Sequence, residues 1–215
     1  MHMAKQKLRS GTLALTLLIA PLVGLLVTAA DQESQSSQNW FLFRGNALAQ
    51  GVSKDPITPP LKIAWKFSVK NGAFEATAAI VDNVVYIGDL DGKLFALDLS
   101  TGKKRWEFAT DSGFIASPAV RAGKIYLGDI DGRFYCVDAS NGKQLWVFET
   151  EAEIDSSANF HKDRVLVGSQ DATLYCLDAK TGKLVWKHAI EDQIRCTPTV
   201  VEDRAFVAGC DGKLH

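Results

Sequence analysis

From Leu61 onward, apolar residues recur in short alternating runs, and pairs of small or polar residues interrupt the runs at regular intervals. Lys124-Ile-Tyr-Leu-Gly128 and Arg133-Phe-Tyr-Cys-Val-Asp138 alternate with period two, the pattern of a half-buried β-strand. Between such runs stand Asp91-Gly92, Asp131-Gly132, Asp171-Ala172 and Asp211-Gly212. Asp-Gly at this place predicts a type I′ hairpin turn, which needs positive φ at both central residues. One run earlier come the pairs Asp82-Asn83, Ala122-Gly123, Lys162-Asp163 and Glu202-Asp203. The third strand, Arg133 to Asp138, leads through Asn141-Gly142 to a fourth, Gln144 to Thr150. The pattern predicts units of four antiparallel strands.

The units repeat in register. Ala96-Leu-Asp-Leu-Ser-Thr-Gly-Lys-Lys-Arg-Trp106, Cys136-Val-Asp-Ala-Ser-Asn-Gly-Lys-Gln-Leu-Trp146 and Cys176-Leu-Asp-Ala-Lys-Thr-Gly-Lys-Leu-Val-Trp186 superpose without a gap, their tryptophans 40 residues apart. Upstream, Phe74-Glu-Ala-Thr aligns with Phe114-Ile-Ala-Ser, Ile154-Asp-Ser-Ser and Ile194-Arg-Cys-Thr. A period of this length built from short strands predicts an all-β fold, a β-propeller of four-stranded blades. One four-stranded sheet cannot bury both faces, so neighbouring blades must cover each other. A tryptophan at a fixed place in the outer strand buries roughly 150 to 250 Å², about 4 to 6 kcal/mol as an upper estimate. On this reading Ala96, Cys136 and Cys176 leave room for an indole from the next blade, and Gly102, Gly142 and Gly182 make the turns that aim Trp106, Trp146 and Trp186.

Ala96 to Trp106 resembles the tryptophan-docking motif Ala-x-Asp-x-x-Thr-Gly-Lys-x-x-Trp of the PQQ-like, or quinoprotein-type, β-propellers at every specified position. The second copy departs at Cys136 and Asn141 and the third at Cys176. The resemblance covers about residues 61 to 215 and implies two groups of relatives. Quinoprotein alcohol and glucose dehydrogenases hold pyrroloquinoline quinone (PQQ) and Ca²⁺ in a central funnel, whereas BamB-like assembly factors bind no cofactor. The repeat is common to both.

Ahead of the repeats, Lys5, Lys7 and Arg9 precede an apolar run from Leu13 to Val27, and Val27-Thr28-Ala29-Ala30 offers small residues for cleavage. This predicts a signal peptide over 1–30 and an exported, periplasmic or extracellular protein. A retained membrane anchor is the alternative, disfavoured by Pro21, Gly24 and a run short of the ~20 residues a span needs. No cysteine near the cleavage point indicates lipid attachment. Losing Lys5, Lys7 and Arg9 from 24 basic residues leaves 21 against 25 acidic ones, which argues against a nucleic-acid partner. Cys136 and Cys176 occupy equivalent places in blades whose sheets pack ~10 Å apart, and Cys196 and Cys210 point to opposite faces, so no disulfide is expected.

Candidate chemistry is sparse. His161, His188 and His215 share no metal-ligand spacing, and His188 stands where the other repeats have Phe108 and Phe148. No nucleophile elbow, phosphate loop or His-Glu-x-x-His occurs. Glu75, Ile115, Asp155 and Arg195 hold equivalent positions entering the innermost strands, which line the central channel of a propeller. Glu75, Asp155 and Arg195 are therefore the funnel candidates, either for ligand or partner selection or as solvated side chains. Under the quinoprotein resemblance Arg195 faces a quinone oxygen and Glu75 or Asp155 reaches Ca²⁺, although the cofactor motifs of that family do not map onto these positions.

Residues 31–60 read as a polar strap containing Trp40-Phe-Leu-Phe-Arg-Gly45, which resembles the entry segment of secreted PQQ-like proteins and is expected to cross a propeller face with its aromatics buried. Leu61 to Val69 reads as an orphan fourth strand, followed by blades over 74–110, 114–150 and 154–190 and a partial blade over 194–215. An incomplete, N-terminal part of a seven- to eight-bladed ring is expected, with a four-bladed ring closed by Leu61 to Val69 as the alternative. The function expected is a non-enzymatic scaffold that binds a protein or envelope component, with no cofactor. A PQQ- and Ca²⁺-dependent dehydrogenase with its catalytic residues partly elsewhere is the alternative.

Overall fold

The computed structural model of the chain describes residues 39–53, 56–70 and 72–215. The expected export signal lies outside them. Among the described residues, fourteen strands run in chain order: β1 (Ala79–Val81), β2 (Val84–Gly88), β3 (Lys93–Asp98), β4 (Lys104–Ala109), β5 (Ala119–Arg121), β6 (Lys124–Gly128), β7 (Arg133–Asp138), β8 (Gln144–Glu149), β9 (Asn159–His161), β10 (Arg164–Ser169), β11 (Thr173–Asp178), β12 (Leu184–Ala189), β13 (Thr199–Val201) and β14 (Arg204–Phe206). They form three four-stranded antiparallel sheets, each in chain order, and a two-stranded fourth unit, β13–β14. Lys213–His215 adds to that unit, since Val207 and His215 exchange backbone hydrogen bonds of 3.0 and 2.9 Å. Each sheet is one propeller blade.

Local chemistry explains the hairpins and corrects one of them. The β2–β3 connection is a four-residue loop, Asp89–Gly92, in which the amide of Gly92 donates to the Asp89 carbonyl. Only the glycine has positive φ, +81°, so a turn closed by a left-handed glycine replaces the expected type I′ turn at Asp91-Gly92. The Asp89 carboxylate stabilises this longer loop, because its Oδ1 accepts from the amides of Asp91 and Lys93 at 3.1 and 2.8 Å. The β1–β2 turn does have positive φ at both Asp82 and Asn83, 50° and 62°. In the β3–β4 turn, Asp98 Oδ1 accepts from the amides and hydroxyls of both Ser100 and Thr101. That is why the repeat keeps aspartate four residues before its glycine.

The docking motif also works differently from its sequence reading. Each glycine receives the indole of the preceding unit: a Cβ on Gly102, Gly142 or Gly182 would stand 2.6 to 2.7 Å from a ring carbon of Trp65, Trp106 or Trp146 respectively. Ala96 and Cys136 instead lie opposite the tryptophan of their own blade in the ladder, between it and a tyrosine of the second strand. A small residue on the middle strand lets the two rings approach over it, with centroids 5.9 Å apart for Tyr86–Trp106 and 5.8 Å for Tyr126–Trp146. Both rings then donate to one carbonyl of the next blade. Tyr86 Oη and Trp106 Nε1 reach Ala139 O at 3.2 and 3.1 Å, and Tyr126 Oη and Trp146 Nε1 reach Ala179 O at 3.0 and 3.3 Å. At the inner end, Phe114, Ile154 and Ile194 are fully buried against Gly88, Gly128 and Gly168 of the blade before.

Leu61 to Val69 enters no ladder, because no third strand lies beside it among the described residues. It nevertheless occupies a fourth-strand place against the first blade. Trp65 Nε1 donates to Leu99 O at 2.8 Å, and Phe67 meets Phe95 edge-on at 5.1 Å, as Phe108 meets Tyr135 at 5.5 Å.

Candidate functional site

The first strand of each unit is the innermost one, and its free edge defines the axial side of the propeller. Those edges are occupied. Trp40 and Ile80 exchange backbone hydrogen bonds of 2.7 and 2.8 Å, Val120 N donates to Phe41 O at 2.8 Å, and Val200 N donates to Ala47 O at 3.2 Å. Asn159 supplies the link at the third unit, its Nδ2 donating to Ala47 O and to Pro198 O at 2.9 and 2.8 Å. The segment Trp40–Ala47 therefore runs along the inner strands of successive blades, where it was expected to lie across a face. Only Leu42 is fully buried there; Trp40, Phe41 and Phe43 are half-buried. The segment turns because Gly45 N donates to Leu42 O at 2.9 Å, with Gly45 packed under the Trp40 ring. Beside it, hydroxyls one repeat apart bind the blades together: Thr77 Oγ1 and Ser117 Oγ share a hydrogen bond of 2.7 Å, and Ser117 N donates to Ser157 Oγ at 2.9 Å.

Two of the three funnel candidates meet. Gln170 Nε2 donates to Asp155 Oδ2 at 2.8 Å and to Glu153 Oε2 at 2.5 Å, while Gln170 Oε1 accepts from Arg195 Nη2 at 3.0 Å. Arg195 Nε donates to Gln193 Oε1 at 3.1 Å. One amide thus ties two carboxylates to a guanidinium across two units. Asp155 Oδ1 is buried without a hydrogen-bond partner. Glu75 is exposed and outside this network, and Ile115 is half-buried. Gln170, Glu153 and Gln193 escaped the sequence reading. The signal for Gln170 was present: it is the polar member of the repeat position that holds Leu90 and Ile130.

A second missed position is Asp89 and Asp129, both fully buried. Asp129 Oδ2 accepts from the Tyr135 hydroxyl at 2.9 Å and lies 3.3 Å from Arg133 Nε. Burial nevertheless raises the Asp129 carboxyl above its ordinary range, outweighing these donors and the Arg133 charge. In the first blade Phe95 replaces the tyrosine, and Asp89 Oδ2 has no partner. Cys136 and Cys176 are buried free thiols, pushed up to about 12 and about 11 by desolvation, so neither is a reactive thiolate at neutral pH. Cys196 and Cys210 are also free.

Gln170 links Asp155 Oδ2 to Arg195, Asp155 Oδ1 stays unpartnered, and Glu75 is exposed and apart from both, so the three do not converge into one PQQ and Ca²⁺ cradle. Among the described residues no three His, Cys, Asp or Glu side chains are grouped to hold a metal ion. An opening of about 440 Å³ lies elsewhere, among Trp186, His188, Ala205, Val207 and His215, between the third blade and the fourth unit. Trp186 is 43% exposed there, unlike the tryptophans docked on Gly142 and Gly182.

Fold and inter-blade contacts together define a β-propeller of PQQ-like repeats. The family model described as outer membrane protein assembly factor BamB matches residues 62–159 and 131–215, and the chain belongs to that family. Among solved structures it is similar to BamB from Moraxella catarrhalis, with 26% identity over 71% of this chain and a TM-score of 0.64. The chain spans about half of that BamB, 52% of its length. It shares its fold with the computationally designed Ika4 protein, at 19% identity over 73% of this chain and 97% of that one, TM-score 0.66. It likewise shares the fold of quinohemoprotein alcohol dehydrogenase from Comamonas testosteroni, at 21% identity over 70% of this chain and 27% of that one, TM-score 0.63. Comparison with curated proteins gave no significant match.

Proposed function

We propose that the chain is an exported, non-enzymatic PQQ-like propeller that presents its surface to another protein or to an envelope component. The observation that carries this reading is the occupied axial side: the Trp40–Ala47 segment hydrogen-bonds the inner strands, and Gln170 hydrogen-bonds both Asp155 and Arg195. The family description and the likeness to BamB, an outer membrane protein assembly factor, support the same class. In this reading residues 1–30 are a cleaved export signal, 31–60 a strap and 61–215 the propeller.

Titration of the purified protein with PQQ and Ca²⁺, followed by quinone absorbance and dye reduction, tests it. No saturable binding and no turnover are expected. Stoichiometric binding with substrate-dependent dye reduction overturns the reading in favour of a quinoprotein dehydrogenase. Export is checked separately by fractionation and by N-terminal sequencing of the exported chain, which should begin just after Ala30.

A further inference from the structure

The loop between the second and third strands recurs in three blades with three different charge balances. In the second blade Asp129 and Asp131 form a carboxylate pair, and the same blade supplies donors to both. Arg133 Nε lies 3.3 Å from Asp129 Oδ2, Arg133 Nη2 donates to Asp131 Oδ2 at 2.6 Å, and the Tyr135 hydroxyl donates to Asp129 Oδ2 at 2.9 Å. In the third blade Ser169 stands at the buried position, and the one remaining carboxylate, Asp171, accepts from the Tyr175 hydroxyl at 2.7 Å. The first blade keeps both carboxylates, Asp89 and Asp91, but has Lys93 for the arginine and Phe95 for the tyrosine. Asp89 is fully buried and its Oδ2 has no hydrogen-bond partner. Among the described residues no ion pair reaches Asp89 or Asp91.

The difference lies at positions 93 and 95, inside the blade. Asp89 Oδ1 accepts from the amides of Asp91 and Lys93 at 3.1 and 2.8 Å, and Asp129 Oδ1 from those of Asp131 and Arg133 at 3.0 and 2.8 Å, so both loops hold their carboxylates alike. Gly72 adds room. It stands where the second unit has buried Ser112, and the place that a Cβ on it would take lies 3.3 Å from Asp89 Oδ2 and 3.2 Å from Asp91 Oδ2. Two carboxylate oxygens therefore flank one place free of any side chain of residue 72. A buried carboxylate is tolerated where a counter-charge or a metal ion satisfies it.

We propose that Asp89 Oδ2 and Asp91 Oδ2 bind a hard divalent cation beside Gly72, the ion taking the part that Arg133 and Tyr135 play in the second blade. Carboxylate oxygens suit Ca²⁺ and Mg²⁺, and water completes the coordination shell on the side of exposed Asp91. With two protein carboxylates rather than a full cage, the affinity for Ca²⁺ should match that of extracellular modules, a Kd of roughly 10⁻⁴ to 10⁻³ M. Such an ion binds without PQQ and leaves quinone absorbance unchanged.

¹H–¹⁵N spectra of the full chain, titrated with CaCl₂ and separately with MgCl₂ at constant ionic strength, test the site. The amides of Asp91 and Lys93, both donors to Asp89 Oδ1, are expected to shift saturably with at least one of the two ions. Asp89→Asn keeps the shape of the side chain and removes its charge, and should weaken binding by about tenfold or more. Lys93→Arg combined with Phe95→Tyr gives the first blade the donors of the second and should weaken binding by a similar factor. Absence of saturable shifts at these two amides up to about 10 mM of either ion, or an unchanged affinity in the double variant, overturns the proposal. The double variant decides the matter if Asp89→Asn fails to fold.

Discussion

Gly123 and Gly142 have nearly the same backbone, φ +70° and +75°, but different surroundings. Nothing lies within 4 Å of a Cβ on Gly123, whereas one on Gly142 would strike the Trp106 ring at 2.7 Å. Gly123→Ala should therefore cost only the left-handed conformation, about 1 kcal/mol, and Gly142→Ala about 2 to 4 kcal/mol, because the indole must also move. Urea unfolding of the two variants measures the difference. The shared carbonyl of Ala179 offers a second test. Tyr126→Phe leaves Trp146 Nε1 on that oxygen and should cost about 0.5 to 1.5 kcal/mol. Combined with Trp146→Phe it should cost more than the two singles added, because the carbonyl then has neither donor. A double-mutant cycle reads the coupling. Acid behaviour also belongs to single residues. Hydrogen bonds from Ser100, then Arg105 and Thr101, hold the Asp98 carboxyl well below its ordinary 3.8, and Asp138 and Asp178 are lowered in the same way by Ser140 and Thr181. Depressed carboxylates stabilise the fold above 3.8 and lose that contribution as pH falls below it. Asp129 has the opposite sign, its raised carboxyl being relieved of a burial cost on protonation. Since three turns outnumber one buried site, the urea midpoint should fall below about pH 4, and Asp98→Asn should flatten the decline.

At the scale of elements, the Trp40–Ala47 segment and the Leu61–Val69 strand use different forces. The former is held by backbone hydrogen bonds to inner strands and by buried Leu42, 3% exposed, in the core of the second and third blades. Leu42→Ala should destabilise by about 2 to 5 kcal/mol, as full truncation of a buried leucine does. The latter is held by side chains alone, Trp65, Phe67 and Val69 packing on Val85, Phe95 and Leu97. Limited proteolysis of Trp65→Ala should accordingly cut near residues 61–69 faster than wild type while sparing β5 to β12. Strand number and order, and the turn positions, were legible because apolar alternation and the 40-residue phase are local properties. The fate of Leu61–Val69 was not legible in the same way. Its pattern is that of a strand, but a ladder needs a neighbour that the pattern cannot supply.

For the whole molecule, units contact mainly their neighbours, so stability is a sum of blade and interface contributions. The strap is the exception, joining residues as far apart as Ala47 and Val200. The polar cluster shows the same contrast. Asp155 and Arg195 were recognisable as charged members of one repeat position, but their joining through Gln170 and Glu153 depends on two units being placed side by side. The sequence alone determined the blade, its period, the family and the residues at each equivalent position, since all of these are written as local patterns repeated in phase. Tertiary structure alone decided which glycine receives which indole, that a tyrosine and a tryptophan share one carbonyl, and that a distant segment covers the inner edges. Those are contacts between units, set by how twisted sheets stack, and no spacing within one unit encodes them.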